Sequence, residues 1–67
     1  MKILLNNRPE DIAVEVITVN ELLRYKNFTF KMLVIKINGA LIKKTEYDTA
    51  MVHEGDEVHV LHLISGG

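Results

Sequence analysis

The residue types that could support chemistry in this chain gather at one end. Gly66 and Gly67 close the sequence, so the last reactive group is the α-carboxylate of Gly67. An α-carboxylate titrates near pH ~3.5, so it is an anion at neutral pH and needs no base. It is a poor acyl donor until something supplies a leaving group. Two residues without side chains let a chain end thread a narrow channel and reach φ values closed to other residues. From average glycine usage, a Gly-Gly end arises by chance in about 0.5% of chains.

The other chemistry-bearing residues offer less. The chain contains no cysteine, which removes disulfides, thiolate metal sites, iron–sulfur clusters and cysteine nucleophiles together. His59 and His62 differ by an odd number along a strand-like segment, so they point to opposite faces and cannot share an ion. His53 falls in a separate loop, and no metal site is expected. Glu54, Asp56 and Glu57 cluster around Gly55 and read as a solvated turn, although a basic groove on a partner could read them. Lys43-Lys44 reads as an edge turn that blocks strand pairing. Tyr25, Phe28, Phe30 and Tyr47 have no basic stripe beside them, so packing fits them better than base stacking.

These residues belong to one small domain. Sixty-seven residues with 48% hydrophobic and 25% charged content form an ordinary globular chain. A domain of this size buries only about 60% of its unfolded surface, so its stability amounts to a few kcal/mol. The net charge of −1 gives no long-range attraction to nucleic acid or to anionic membrane. No run of about 18 apolar residues is present to span a bilayer. The opening apolar run, Met1 to Leu5, is too short for a signal peptide. Without disulfides the chain fits a reducing compartment, and a cytoplasmic location is expected.

Periodicity supplies the elements. Met1–Leu5 reads as a first strand and Asn6-Asn7-Arg8-Pro9 as a turn. Ile12, Val14 and Val16 alternate with polar or small neighbours as a second strand. Thr18-Val19-Asn20-Glu21 matches a capping box, and Val19, Leu22 and Leu23 stripe one side of a helix ending near Asn27. Leu33, Ile35 and Ile37 mark a third strand, and Asn38-Gly39 predicts a tight hairpin into Leu41-Ile42. Thr45–Val52 lacks a clean period and reads as a turn-rich crossover. Val58 and Val60 mark the last strand.

The predicted order is therefore β–β–α–β–β–β. One helix covers one face of such a sheet and leaves the other solvated or in use. Parity aims Ile3, Leu5, Ile12, Val14, Val16, Leu33, Ile35, Ile37, Val58 and Val60 at the helix. Leu4, Val34, Lys36, His59, Leu61 and Leu63 then point away, and the apolar members Leu4, Val34, Leu61 and Leu63 are expected to form a partner-docking surface.

Three stretches carry a resemblance to a known family. They are Met1-Lys2-Ile3-Leu4-Leu5-Asn6, Thr18-Val19-Asn20-Glu21-Leu22-Leu23, and Ile37-Asn38-Gly39 onward. The last includes the turn His53-Glu54-Gly55-Asp56-Glu57-Val58 and the tail Ile64-Ser65-Gly66-Gly67. With the length and element order, they resemble the ubiquitin-like β-grasp sulfur carriers, most closely the thiamine-biosynthesis sulfur carrier (ThiS) family. Lys43 stands where many members carry proline, and Tyr25–Lys31 has no family-like detail. The small subunit of molybdopterin synthase, a relative, is usually longer and approaches its Gly-Gly differently.

The resemblance implies an α+β fold of the ubiquitin-like β-grasp type. A mixed four- to five-stranded sheet would carry one main helix on one face, with residues 1–63 as the domain and 64–67 as a flexible Gly-Gly tail. It implies a carrier rather than an enzyme. The Gly67 carboxylate would be adenylated by a ubiquitin-activating-type enzyme that uses ATP and magnesium, then converted to a thiocarboxylate. Sulfur would pass to the thiazole of thiamine through thiazole synthase, or to another acceptor. The carrier itself would bind no cofactor and is expected to be a monomer. A ubiquitin-like modifier conjugated through Gly67, a molybdopterin-type carrier and a passive β-grasp interaction module are the alternative readings.

Overall fold

A computed structural model of the chain describes residues 1–28 and 32–62. Among these described residues seven strands, one α-helix and one short 3-10 helix follow in order: β1 Lys2–Leu5, β2 Arg8–Asp11, β3 Val16–Thr18, α1 Val19–Tyr25, β4 Leu33–Ile37, β5 Ala40–Ile42, the 3-10 turn Lys44–Glu46, β6 Met51–His53 and β7 Glu57–His62. Five strands form one sheet in the order β2-β1-β7-β4-β5, and β3 pairs with β6 in a separate two-stranded sheet. The first and last strands run parallel at the centre, with Leu5 beside Val58, and the remaining pairs are antiparallel.

Both hairpins of the large sheet are set by two-residue turns with positive φ. Asn38 and Gly39 lie at φ 51° and 83°, and Ile37 pairs with Ala40 across them, the geometry that an Asn-Gly sequence favours. Asn6 and Asn7 do the same between Leu5 and Arg8, at φ 53° and 65°. Asparagine tolerates this left-handed region because its short polar side chain bonds locally. Pro9 therefore lies inside β2 rather than in a turn. It is accommodated because β2 is an edge strand, where a missing N–H leaves no ladder bond unmade.

The asparagine side chains then fasten the turns to β7. Asn6 Oδ1 accepts from the Val60 N–H at 2.8 Å, continuing the pairing of β7 after β1 has ended. Asn38 Oδ1 accepts from the Glu57 N–H at 2.9 Å, and Asn38 Nδ2 donates to Asp56 at 3.0 Å. The acidic turn is structural too. Asp56 Oδ2 accepts from the His53 N–H at 2.8 Å, and Glu54 accepts from the Lys2 N–H at 2.9 Å.

The helix is short and closed at both ends. Thr18 Oγ1 accepts from the Glu21 N–H at 3.1 Å, and the Glu21 carboxylate accepts from the Thr18 N–H at 3.0 Å. This is the expected capping box. At the other end Asn27 takes φ 58°, Phe28 N–H donates to Leu23 C=O at 2.8 Å and Asn27 N–H to Arg24 C=O at 3.0 Å. That pair of bonds is a Schellman stop, with asparagine where glycine is commoner.

The core is made of Ile3, Leu5, Ile12, Ile17, Val19, Leu22, Leu23, Ile35, Val52, Val58 and Val60. Two expectations are corrected here. Val14 and Val16 face solvent at 43% and 41% exposure, and Ile17 is buried in their place. Residues 13–15 form a bend between β2 and β3, and the bend shifts strand parity by one, which exchanges the faces. The segment Thr45–Val52 is not simply a crossover. It holds the 3-10 turn and most of β6, whose Val52 is fully buried against the core.

Candidate functional site

The fold divides the expected site into three parts. Gly66, Gly67 and Leu63 lie outside the described residues. Val34 and Leu61 are brought together as direct cross-strand partners on β4 and β7. Leu4 shares their face but not their neighbourhood. It stands opposite Pro9 on one side and Glu57 on the other, four residues down β7 from Leu61, or ~13 Å at the strand rise.

What separates them is polar. Lys36 and His59 form the next cross-strand pair on this face, and His59 Nε2 lies 3.4 Å from Asn7 Oδ1. The apolar surface instead extends sideways. Leu41, on β5, pairs with Lys36 and is 60% exposed, more than Leu61 at 50% or Leu4 at 38%. Leu41 was legible from the sequence. A two-residue Asn38-Gly39 turn sets residue 41 opposite residue 36, which parity places outward. The apolar surface near the end of β7 is thus Val34, Leu61 and Leu41 around the Lys36–His59 pair.

The other chemical candidates are dispersed. β7 sets His59 and His62 on opposite faces, and His53 lies in β6 rather than in a loop, with Nδ1 3.9 Å from Asp56 Oδ2. Among the described residues no three metal-ligating side chains gather. On the helix side, Leu5, Asn6, Arg8, Glu10, Lys26 and Phe28 line a shallow concavity of about 490 Å³. Lys26 is ion-paired with Glu10 across it. The Glu21 carboxyl belongs to the helix start. It is held below its ordinary value of 4.5 by the Thr18 N–H and then the Thr18 hydroxyl, a consequence of the helix cap. Among the described residues no helix is long and apolar enough to cross a membrane.

A mixed five-stranded sheet with its terminal strands parallel at the centre, grasping one helix and leading to a Gly-Gly end, defines the ubiquitin-like β-grasp class. Comparison with known proteins narrows the class. The ThiS family model matches residues 3–67, and the chain belongs to the ThiS family. A crystal structure of a thiamine biosynthesis protein (ThiS) from Geobacter metallireducens matches with a TM-score of 0.89 at 26% identity, covering the whole of both chains. The NMR solution structure of a thiamine biosynthesis protein from the same organism matches at 0.81 and 26% identity, over all of this chain and 88% of that one. The uncharacterized protein ycf40 of Trieres chinensis is 25% identical over 61 residues, 91% of this chain and 84% of that protein. The chain is a ThiS-like β-grasp protein of the sulfur-carrier type.

Proposed function

We propose that this chain carries sulfur as a thiocarboxylate on Gly67, made in two steps on an adenylating partner and delivered to the thiazole of thiamine. The observation that carries the reading is the family match through to residue 67, which takes in the Gly66-Gly67 end. In the first step a Gly67 carboxylate oxygen attacks the α-phosphorus of ATP. The Pα–O bond to the β-phosphate breaks, and pyrophosphate leaves. In the second, a sulfur nucleophile, formally hydrosulfide, adds to the acyl carbon and AMP departs with the C–O bond electrons. The product is a thiocarboxylate with one sulfur in place of one oxygen.

The chain's own contribution is presentation. Its carboxylate is already ionised, and two glycines leave the acyl carbon open to attack from either side. ATP, magnesium and the sulfur relay belong to the partner, whose fixed dipoles would stabilise the charge developing on phosphate. Val34, Leu61 and the expected Leu63 supply apolar area for docking beside the end of β7, and Leu4 adds to the same face at a distance.

Intact-protein mass spectrometry tests the reading. The chain is incubated with ATP, source-cell extract and a sulfur donor, alongside a chain lacking Gly67. One oxygen-for-sulfur exchange, absent from the deletion, is the expected result. Stable conjugates to other proteins without that exchange would indicate a modifier instead. No change in an active extract would leave a passive interaction module.

A further inference from the structure

Asn38 and Gly39 form the exposed tip of the β4–β5 hairpin. An asparagine side-chain amide is an electrophile, and the backbone nitrogen after it is the nucleophile placed to close a five-membered ring on it. Of the five asparagines in the chain, Asn38 alone is followed by glycine. A residue without a side chain neither crowds such a ring nor restricts its φ. Nothing lies within 4 Å of where a Cβ would stand on Gly39, so the side that a larger residue would shield is open to solvent.

The folded hairpin restrains this reaction. Asn38 Oδ1 accepts from the Glu57 N–H at 2.9 Å, Asn38 Nδ2 donates to Asp56 Oδ1 at 3.0 Å, and the Asn38 N–H donates to the Glu57 C=O at 2.7 Å. The amide therefore cannot swing onto the Gly39 nitrogen without breaking both side-chain bonds, and the Ile37–Ala40 pair fixes the backbone between them. The product would meet a different environment. Asp56 Oδ2 already accepts from the His53 N–H at 2.8 Å, which leaves Oδ1 facing position 38. A carboxylate there puts two anions at hydrogen-bond distance with no proton between them, and contact of like charges disfavours the fold. An isoaspartyl link also adds a carbon to the main chain of a two-residue turn whose length sets the strand register.

We propose that Asn38-Gly39 is a self-modifying site that records unfolding: it is inert while β4, β5 and β7 are paired and converts once the hairpin opens. The Gly39 nitrogen gives its proton to hydroxide and attacks Asn38 Cγ. The Cγ–Nδ2 bond breaks, and the amide nitrogen takes a proton from water and leaves as ammonia. Water then adds to either carbonyl of the ring and opens it to aspartate or isoaspartate. The net change consumes one water, releases one ammonia and transfers no electrons. The converted chain carries one more negative charge beside Asp56, so the hairpin does not close as before and the mark is one-way.

The test incubates the full chain at mildly alkaline pH, folded in buffer and unfolded in urea, and locates converted residues by peptide mass spectrometry. Conversion at Asn38 should run at least about tenfold faster in the unfolded chain, because the rate follows the open population. It should also outrun conversion at Asn6, Asn7, Asn20 and Asn27. Equal rates in the two states, or earlier conversion at another asparagine, would overturn the proposal. Thermal melting then reads the consequence. Asn38→Asp should melt below wild type. Adding Asp56→Asn to it should recover most of the loss, since an amide at position 56 can still accept from the His53 N–H while donating to the carboxylate at position 38. Asp56→Asn alone sets two amide donors against each other and should melt below the double variant. An Asn38→Asp chain as stable as wild type, or a double variant no more stable than Asn38→Asp, would show that the product is tolerated or fails for another reason, and either result overturns the one-way mark.

Discussion

The two faces of the five-stranded sheet are made of similar side chains and serve different ends. Ile35 and Val34 are neighbours in β4, yet Ile35 is fully buried beneath the helix and Val34 is partly open on the far side. The same alternation separates Val60 from Leu61 on β7, and Leu5 from Leu4 on β1. A seven-residue helix covers one face of five strands and cannot cover two. The buried face holds the fold together, and the outer face keeps apolar residues that stand outside the core.

The strongest way to break this comparison is to truncate one residue on each side. Ile35→Ala should cost about 2–5 kcal/mol, as buried large-to-small substitutions do. For a domain whose total stability is a few kcal/mol, that leaves much of the protein unfolded at 25 °C. Val34→Ala should cost less than ~1 kcal/mol, because it forfeits only partial burial. Urea unfolding of the two variants decides the matter. Equal losses would mean that the outer face is also packed.

The next effect belongs to the turns that fix which residues face inward. Asn38→Ala loses two side-chain hydrogen bonds, to Asp56 and Glu57, and strains a φ of 51°. A loss of about 1–3 kcal/mol is expected. Asn38→Gly relieves the strain without restoring the bonds, so its stability by urea titration should fall between wild type and Asn38→Ala.

These turns also explain what could be read in advance. β4, β5 and β7 were legible because Asn38-Gly39 and Gly55 punctuate them and their alternation is unbroken. The helix was legible because Thr18 and Glu21 announce its start. The stretch from Arg8 to Thr18 misled, because Ile12, Val14 and Val16 alternate like one strand while the chain breaks there into two. Nothing in that alternation reveals that Asn6 and Asn7 will both take positive φ, which pulls Arg8–Asp11 into pairing with β1. β6 has three residues with one buried, too few to display a period. At the site, the outward assignment of Leu4, Val34 and Leu61 followed from parity alone. Their spacing did not, because the register of β1 on β7 is a parallel pairing between opposite ends of the chain with no turn to fix it.

The helix cap gives a smaller effect with a pH signature. Thr18→Ala should lower stability by about 1 kcal/mol at neutral pH. Bonding to Thr18 holds the Glu21 carboxyl below its ordinary value of 4.5 in the folded chain. Its contribution is therefore fully present above about pH 4.5 and is lost as pH falls through the lowered folded value. The melting-temperature gap between wild type and Thr18→Ala should narrow on acidification through that lowered value, as the bond from the Thr18 hydroxyl to the carboxylate is lost, but not close, because the bond from the Glu21 N–H to Thr18 Oγ1 does not titrate. A gap that stays constant to pH 2 would show that the cap acts without the carboxylate.

The smallest stability effect carries the sharpest functional contrast. Leu61 is half exposed and its backbone pairs with Val34, so Leu61→Asp leaves the ladder intact and exposes no new core. Unfolding free energy should shift by no more than ~0.5 kcal/mol, the usual range for surface substitutions. Placed at the centre of a docking surface, the same carboxylate would be desolvated without a partner, and a penalty of about 2 kcal/mol or more would weaken binding to the adenylating enzyme some thirtyfold. Thermal melting and ATP–pyrophosphate exchange, read on the same sample, separate the two effects. If Leu61→Asp melts like wild type and also supports exchange like wild type, the outer face is simply the uncovered side of the sheet. A folded variant that no longer supports exchange would mean that one strand, through alternate residues, both closes the core and meets the partner.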